Sequence, residues 1–359
     1  MTLIPVVTQA QLDELHSSLT NRSGLVPLSS RFRSLFTLRS LGNQQPEAIL
    51  SIVEALRPTK LSSKVTVGSS SSSSSSPDAL LGHELAYCLG QIGDPIALPV
   101  LEDTLRDHSV HPMVRHEAAE AMGAIGDPIS LKILREFIND PEVSVRETCE
   151  LAIEKILGQG PDRGKRFDGT VPRKGEYGTI DPTPSMIESF DESEAEASKI
   201  DEFKLKKMTE QLLDQDISLF QRYRAMFGLR DAVGRSADSN EALALSAVEA
   251  LTRGFNDRSA LFRHEIAYVF GQLSHPASVP ALLKVLQNEE EEEMVRHEAA
   301  EALGSIATPE VLETLNRFRS SDEPSQVVRE SCEVALDMYE YERSKEFQYT
   351  LPLNNSTQQ

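Results

Sequence analysis

Tryptophan is absent from this 359-residue chain, cysteine occurs three times, and basic residues are outnumbered 56 to 36 by acidic ones. No apolar stretch approaches the length of a membrane span, which argues against a membrane partner. Nor does the N-terminus carry a basic region followed by an apolar run, the mark of a secretory leader. The cytoplasm is therefore the default compartment, with the nucleus as a further one. Cys88, Cys149 and Cys332 are an odd number at no metal-ligand spacing, which argues against a disulfide framework. Cys149 and Cys332 fall in matching repeat slots, as small buried packing residues would. With 13 Phe and 7 Tyr, the core must be mainly aliphatic and rich in Ala. A net charge of −20 argues against a nucleic-acid partner, because phosphate binding needs a basic surface. A cationic partner is favoured instead.

What is present is repetition. Four His-Glu dipeptides occur: His83-Glu84, His116-Glu117, His264-Glu265 and His297-Glu298. Within each pair of dipeptides the spacing is 33 residues, and 181 residues separate the corresponding members of the two pairs. The flanking text repeats too. Gly82 to Pro95 (GHELAYCLGQIGDP) matches Arg263 to Pro276 (RHEIAYVFGQLSHP), and Met113 to Pro128 (MVRHEAAEAMGAIGDP) matches Met294 to Pro309 (MVRHEAAEALGSIATP). Ser144 to Ile156 echoes Val327 to Tyr339 without histidine, and Arg31 to Arg39 echoes Arg222 to Arg230.

A period of about 30 to 45 residues marks a solenoid, whose units must stack on one another to bury their apolar faces. Leu85, Ala86, Leu89 and Ile92 keep helical spacing, as do Ala118, Ala119, Met122 and Ile125. The turns Gly93-Asp94-Pro95 and Gly126-Asp127-Pro128 then offer an Asp N-cap and a Pro at the first helical position. A second helix follows, with Ile96, Val100, Leu101 and Leu105 on its buried stripe. The expected fold is all-α: an α-α superhelix of eight HEAT-like helical hairpins in two pseudo-symmetric four-repeat halves. The N-terminal half spans 1–157 and contains a serine run at 69–76; the C-terminal half spans 199–345. Between them, 158–198 reads as a flexible linker rich in Gly, Pro, Asp, Glu and Ser, and 346–359 reads as a disordered tail. Such a linker would let the halves face each other, so that one chain completes its own site as a monomer.

Adjacent helical residues point about 100° apart, so a histidine and the glutamate after it can border one groove in different roles. Stacked helices about 8–10 Å apart bring His83 near His116 and His264 near His297. Joined halves would then surround one cleft with four imidazoles and four carboxylates. This mixed nitrogen and oxygen set without thiolate suits iron or manganese, with carboxylates as bridges and charge balance in a two-metal site. A His-Glu pair on a helix is ordinarily a surface pair or a satisfied core histidine, and duplication alone would copy it. Against that, the histidine slot of the first and fourth units holds Phe32, Tyr223, Arg146 or Arg329, so histidine is confined to the central units. His16, His108, His111 and His275 have no following Glu. Glu289 to Glu293 could draw in a basic substrate, although such runs are usually solvated loops.

These four His-Glu dipeptides, set in HEAT-like hairpins with the repeated M-V-R-H-E-A-A-E-A sequence, resemble the deoxyhypusine hydroxylase family. The resemblance covers both halves. It implies a non-haem di-iron monooxygenase, with two Fe(2+) per chain, molecular oxygen and an external reductant. The implied substrate is the deoxyhypusine side chain, a lysine extended by an aminobutyl group, on eukaryotic translation initiation factor 5A. By the family pattern His83, His116 and Glu117 hold one iron, His264, His297 and Glu298 hold the other, and Glu84 and Glu265 lie nearer the substrate's ammonium groups. A zinc or di-manganese hydrolase could use the same ligands. A non-enzymatic HEAT scaffold has no reason to confine histidine to the central units, and a bilin-attaching lyase does not require this fourfold set.

Overall fold

A computed structural model describes residues 7–42, 44–57, 79–158, 177–189, 200–236, 239–320 and 322–344. The serine run, the tail and most of the linker lie outside the described residues. Those described form sixteen α-helices and no strand. The N-terminal half holds α1 (Gln9–Thr20), α2 (Leu28–Gly42), α3 (Pro46–Leu56), α4 (Ala79–Ile92), α5 (Leu98–Arg106), α6 (Pro112–Ile125), α7 (Leu131–Glu136) and α8 (Val143–Ile156). The C-terminal half holds α9 (Glu202–Leu213), α10 (Leu219–Ser236), α11 (Glu241–Arg253), α12 (Ala260–Leu273), α13 (Val279–Gln287), α14 (Glu293–Ile306), α15 (Val311–Phe318) and α16 (Gln326–Ser344). Among the described residues no helix is long and apolar enough to cross a membrane.

The even-numbered helices form the inner layer, α2 against α4, α4 against α6 and α6 against α8, and likewise α10 through α16. Their close approach comes from small residues. A Cβ on Gly90 would stand 2.8 Å from the Ala121 backbone, and one on Gly123 would stand 2.8 Å from the Ala152 methyl, so neither position tolerates a side chain without parting the helices. Asp94 and Asp127 accept from the amides of Ile96 and Ile129, at 2.9 and 3.0 Å. What they cap are single 3-10 turns, Pro95–Ala97 and Pro128–Ser130, ahead of α5 and α7.

Arginines tie each inner helix to its hairpin. Arg115 Nε donates to the carbonyl of Leu105 and its guanidinium grips Asp140 at 2.5 Å; Arg296 does the same with Leu286 and Glu323. All four side chains of these ion pairs are buried. Arg146 and Arg329 each donate to a carbonyl six residues back, as Arg263 does. They therefore correspond to the residue before the histidine, and the histidine slot of the fourth units is filled by Glu147 and Glu330.

The halves close on each other along two seams. At the first, α16 meets α2 and α4, and at the second α8 meets α10 and α12. Arg33 on α2 donates to Asp337 on α16 at 2.9 Å across the first seam. Residues 177–189, inside the stretch expected to be a flexible linker, form a packed strap at the second. Gln91 on α4 exchanges two hydrogen bonds with the Ile180 backbone, at 2.8 and 3.2 Å. Gln272 on α12 donates to Thr179 at 3.0 Å, and Arg230 on α10 holds Asp181 at 2.8 Å. Thr183 and Ser185 are buried beneath.

Candidate metal centre

The inner helices α4, α6, α12 and α14 each carry one His-Glu dipeptide, and all eight side chains are buried between the halves. The four imidazoles converge. Ring centroids lie 5.5 Å apart for His83 and His116, 5.4 Å for His264 and His297, and 4.9 Å for His83 and His297 across the halves. Glu117 Oε2 is 3.3 Å from His83 Nε2, and its counterpart Glu298 Oε2 is 3.4 Å from His264 Nε2. In each half, then, the glutamate of the second dipeptide reaches the histidine of the first. Glu84 lies 3.0 Å from His83 Nδ1, whereas Glu265 leaves Oε1 buried with no hydrogen-bond partner.

Whether the residues fit a metal is answered by their unmatched lone pairs. Each of His83, His116, His264 and His297 has a buried ring nitrogen with no hydrogen-bond partner, and a buried polar atom left so costs roughly 1–3 kcal/mol. Three groups of donor atoms, His83, His116 and His264, then His264, His297 and Glu298, and then His116, Glu117 and Glu120, each fall within 4.8 Å of one another. A cation within such a group would take up these lone pairs, so the donors fit a metal, and the first group draws on both halves.

The charge balance points the same way. Burial opposes charge on His83, yet Glu117 and Glu84 outweigh it and hold its imidazole well above the ordinary value. Burial, with neighbouring His83 and His264, pushes His116 and His297 well below theirs. Burial likewise raises the Glu265 carboxyl well above its usual range, with Glu120 the strongest of its anionic neighbours. So many acids in one buried volume call for bound cations.

Several residues at the site lie outside the eight anticipated ones. Glu120 and Glu301, one turn beyond His116 and His297, face the same cavity. Burial pushes Glu120 up to about 8, and Glu301 is raised well above its range by burial and then by Glu84. Glu84, Glu120, Glu265 and Glu301 all line that one cavity. Tyr87 and Tyr268 meet hydroxyl to hydroxyl at 3.0 Å, on the pseudo-two-fold axis. Every one of these pairs recurs at the 181-residue shift, and that shift was the signal available. The acidic run Glu289 to Glu293 is partly consumed by structure: Glu291 pairs with Arg263, and Glu293 takes His111 of the other half at 2.9 Å.

Fold and site together define a HEAT-repeat protein with a histidine- and carboxylate-lined centre between two halves. The family model for HEAT repeats matches residues 72–154 and 235–337. Deoxyhypusine hydroxylase of Lentinula edodes is 49% identical over 349 residues, 96% of each chain, and that of Mus musculus is 45% identical over 346 residues, again 96% of each. A solved structure of human deoxyhypusine hydroxylase in complex with glycerol has a TM-score of 0.73 at 43% identity, covering 92% of this chain and 96% of the human one. The chain belongs to the deoxyhypusine hydroxylase family. It is an enzyme, a monooxygenase acting on deoxyhypusine, and the family is metal-dependent. The hydrolase, scaffold and lyase alternatives give way to this assignment.

Proposed function

We propose that the metal is iron, two Fe(2+) per chain, and that the substrate is the deoxyhypusine side chain on eukaryotic translation initiation factor 5A, converted to hypusine with molecular oxygen and an external reductant. The observation that carries this reading is the convergence of four buried imidazoles, with unpartnered ring nitrogens, from the two halves. His83, His116 and Glu117 would hold one iron and His264, His297 and Glu298 the other. When bound there, two Fe(2+) would supply the two electrons with which dioxygen is reduced, so that one of its oxygen atoms can enter an unactivated C–H bond and the other leave as water.

The chain's own residues bind and orient. Glu84 and Glu265 present buried negative charge to the side chain's ammonium groups, an attraction strengthened where water is excluded. Fixing both cationic nitrogens fixes which carbon faces the centre. The inner-helix packing keeps the imidazoles in register. Support for the pairing of roles comes from the equivalence of the halves, since Glu117 and Glu298 approach the histidine cluster alike while Glu265 keeps an oxygen free of it.

The test is the metal content of protein purified without added metal, with visible absorption after exposure to air. About two irons per chain and a charge-transfer band support the reading; zinc alone, or no metal in folded protein, sinks it. Oxygen-dependent gain of one oxygen atom by a deoxyhypusine-bearing substrate, seen by mass spectrometry, tests the reaction itself.

A further inference from the structure

The two seams differ in what fills them. A cavity of about 210 Å³ is lined by Glu84, Glu120, Glu265 and Glu301. Through Phe36, Glu301 and Met338, which line both, it meets a second cavity of about 400 Å³ between α2 and α16. The pseudo-equivalent place at the other seam, between Glu120, Thr148, Lys155 and Pro182, retains only about 10 Å³. There the strap occupies the gap: Lys155 Nζ donates to the Asp181 carbonyl at 2.6 Å, and Arg224 Nε donates to the Pro184 carbonyl at 3.4 Å.

The aligned fourth units explain the difference in chemistry. Lys155 of α8 corresponds to Met338 of α16, and Glu154 to Asp337. At the second seam the chain thus brings its own ammonium to the residual cavity that Lys155 lines with Glu120. At the first, where an ammonium would face Glu84 and Glu301, it places a neutral thioether. Glu301 Oε1 is buried with no hydrogen-bond partner, 3.6 Å from His297 Nδ1, and Glu265 Oε1 likewise has none, so both carboxylates retain capacity for a donor. Deoxyhypusine carries two cationic nitrogens separated by a butyl chain, and the cavity offers Glu84, Glu265 and Glu301 beside His83 and His264, with Glu120 facing Lys155.

We propose that the substrate side chain enters along the α2/α16 seam, setting its secondary ammonium against Glu84 and Glu301 and its terminal ammonium against Glu265, while Lys155, beside Glu120, and the strap seal the opposite seam. The carbons between the nitrogens then lie across the imidazole cluster, and the pocket, though built on a two-fold plan, has one mouth among the described residues. This rests on deoxyhypusine being the substrate. Glu301 becomes a specificity residue, and Met338 is the position that keeps the mouth free of internal charge.

The experiment is calorimetric titration of the full-length, metal-loaded chain with a peptide bearing one deoxyhypusine, and with the same peptide bearing lysine. Met338→Lys places an ammonium at the mouth, and Ser40→Trp, on an exposed position lining the outer cavity, narrows the path without touching the core. Both are expected to keep the wild-type metal content and melting temperature and to weaken deoxyhypusine binding by about tenfold or more, as like charge and a blocked path require. Wild-type affinity in both metal-loaded variants would overturn the seam assignment. A wild-type chain that binds the two peptides alike would instead remove the substrate assignment beneath it.

Discussion

Between the halves, His83, Tyr87, Gln91, His116 and Glu120 return as His264, Tyr268, Gln272, His297 and Glu301, whereas Gly82 becomes Arg263 and Lys155 becomes Met338. The kept histidines and tyrosines lie at the centre and on the pseudo-two-fold axis. Lys155 and Met338 lie at the rim, where one half meets the strap and the other meets α2. A duplicated scaffold can hold a symmetric metal centre with identical parts, but a substrate with two unlike ends has to be received asymmetrically. The divergence at the rim supplies that asymmetry.

The sharpest way to break the symmetry is to remove a histidine from one half. His116→Ala and His297→Ala should each cost metal and lower activity by about a thousandfold or more, since a bound metal contributes several kcal/mol of charge stabilisation. Equal losses, measured as metal per chain and turnover, would show that the halves contribute alike; retention of both metals in either variant would show that they do not.

A second comparison concerns the buried ion pairs that brace α6 and α14. Asp140→Ala and Glu323→Ala should each destabilise the fold by about 3–5 kcal/mol, because each strands a buried arginine, and denaturant midpoints read this. Arg115 and Arg296, outweighing the cost of burial, hold these two carboxyls below their ordinary range. A carboxylate depressed on folding contributes stability that is full above its unfolded value and lost as pH falls toward its folded one. Wild-type stability should therefore decline on acidification below about pH 4, and less steeply in either variant.

Glu84→Ala and Glu265→Ala should retain metal and weaken substrate binding by about 30- to 100-fold, the worth of a charge-assisted bond of roughly 2–3 kcal/mol. Loss of metal in both would refute the division of roles. The smallest effect belongs to the axis: Tyr87→Phe and Tyr268→Phe each remove the one hydroxyl contact and should lower stability by about 1 kcal/mol, seen by thermal melting.

Much of this was readable in the chain because duplication acts as an internal comparison. The His-Glu dipeptides announced themselves by their spacing, and the helices by their apolar period. Glu120 and Glu301 sat in the same repeated text, but a glutamate after two alanines reads as a solvent face until the opposite half is seen to cover it. Arg146 and Arg329 were set against the histidine slot because text alone does not fix register; their hydrogen bonds do. The strap was illegible for a different reason. Residues 177–189 have neither helical nor strand period, and their order comes from distant side chains, Gln91, Lys155, Arg230 and Gln272. Lys155 and Met338 are ordinary residues until each is placed at a seam.

The contact between Arg33 and Asp337 joins residues 304 positions apart. During synthesis an N-terminal half leaves the ribosome with its inner histidines exposed to solvent, and the cage around them stays open until α16, the last helix among the described residues, has been made. Contacts of such separation form late and slowly. A truncation within α16 would yield a chain that keeps all four His-Glu dipeptides yet has no closed compartment around them.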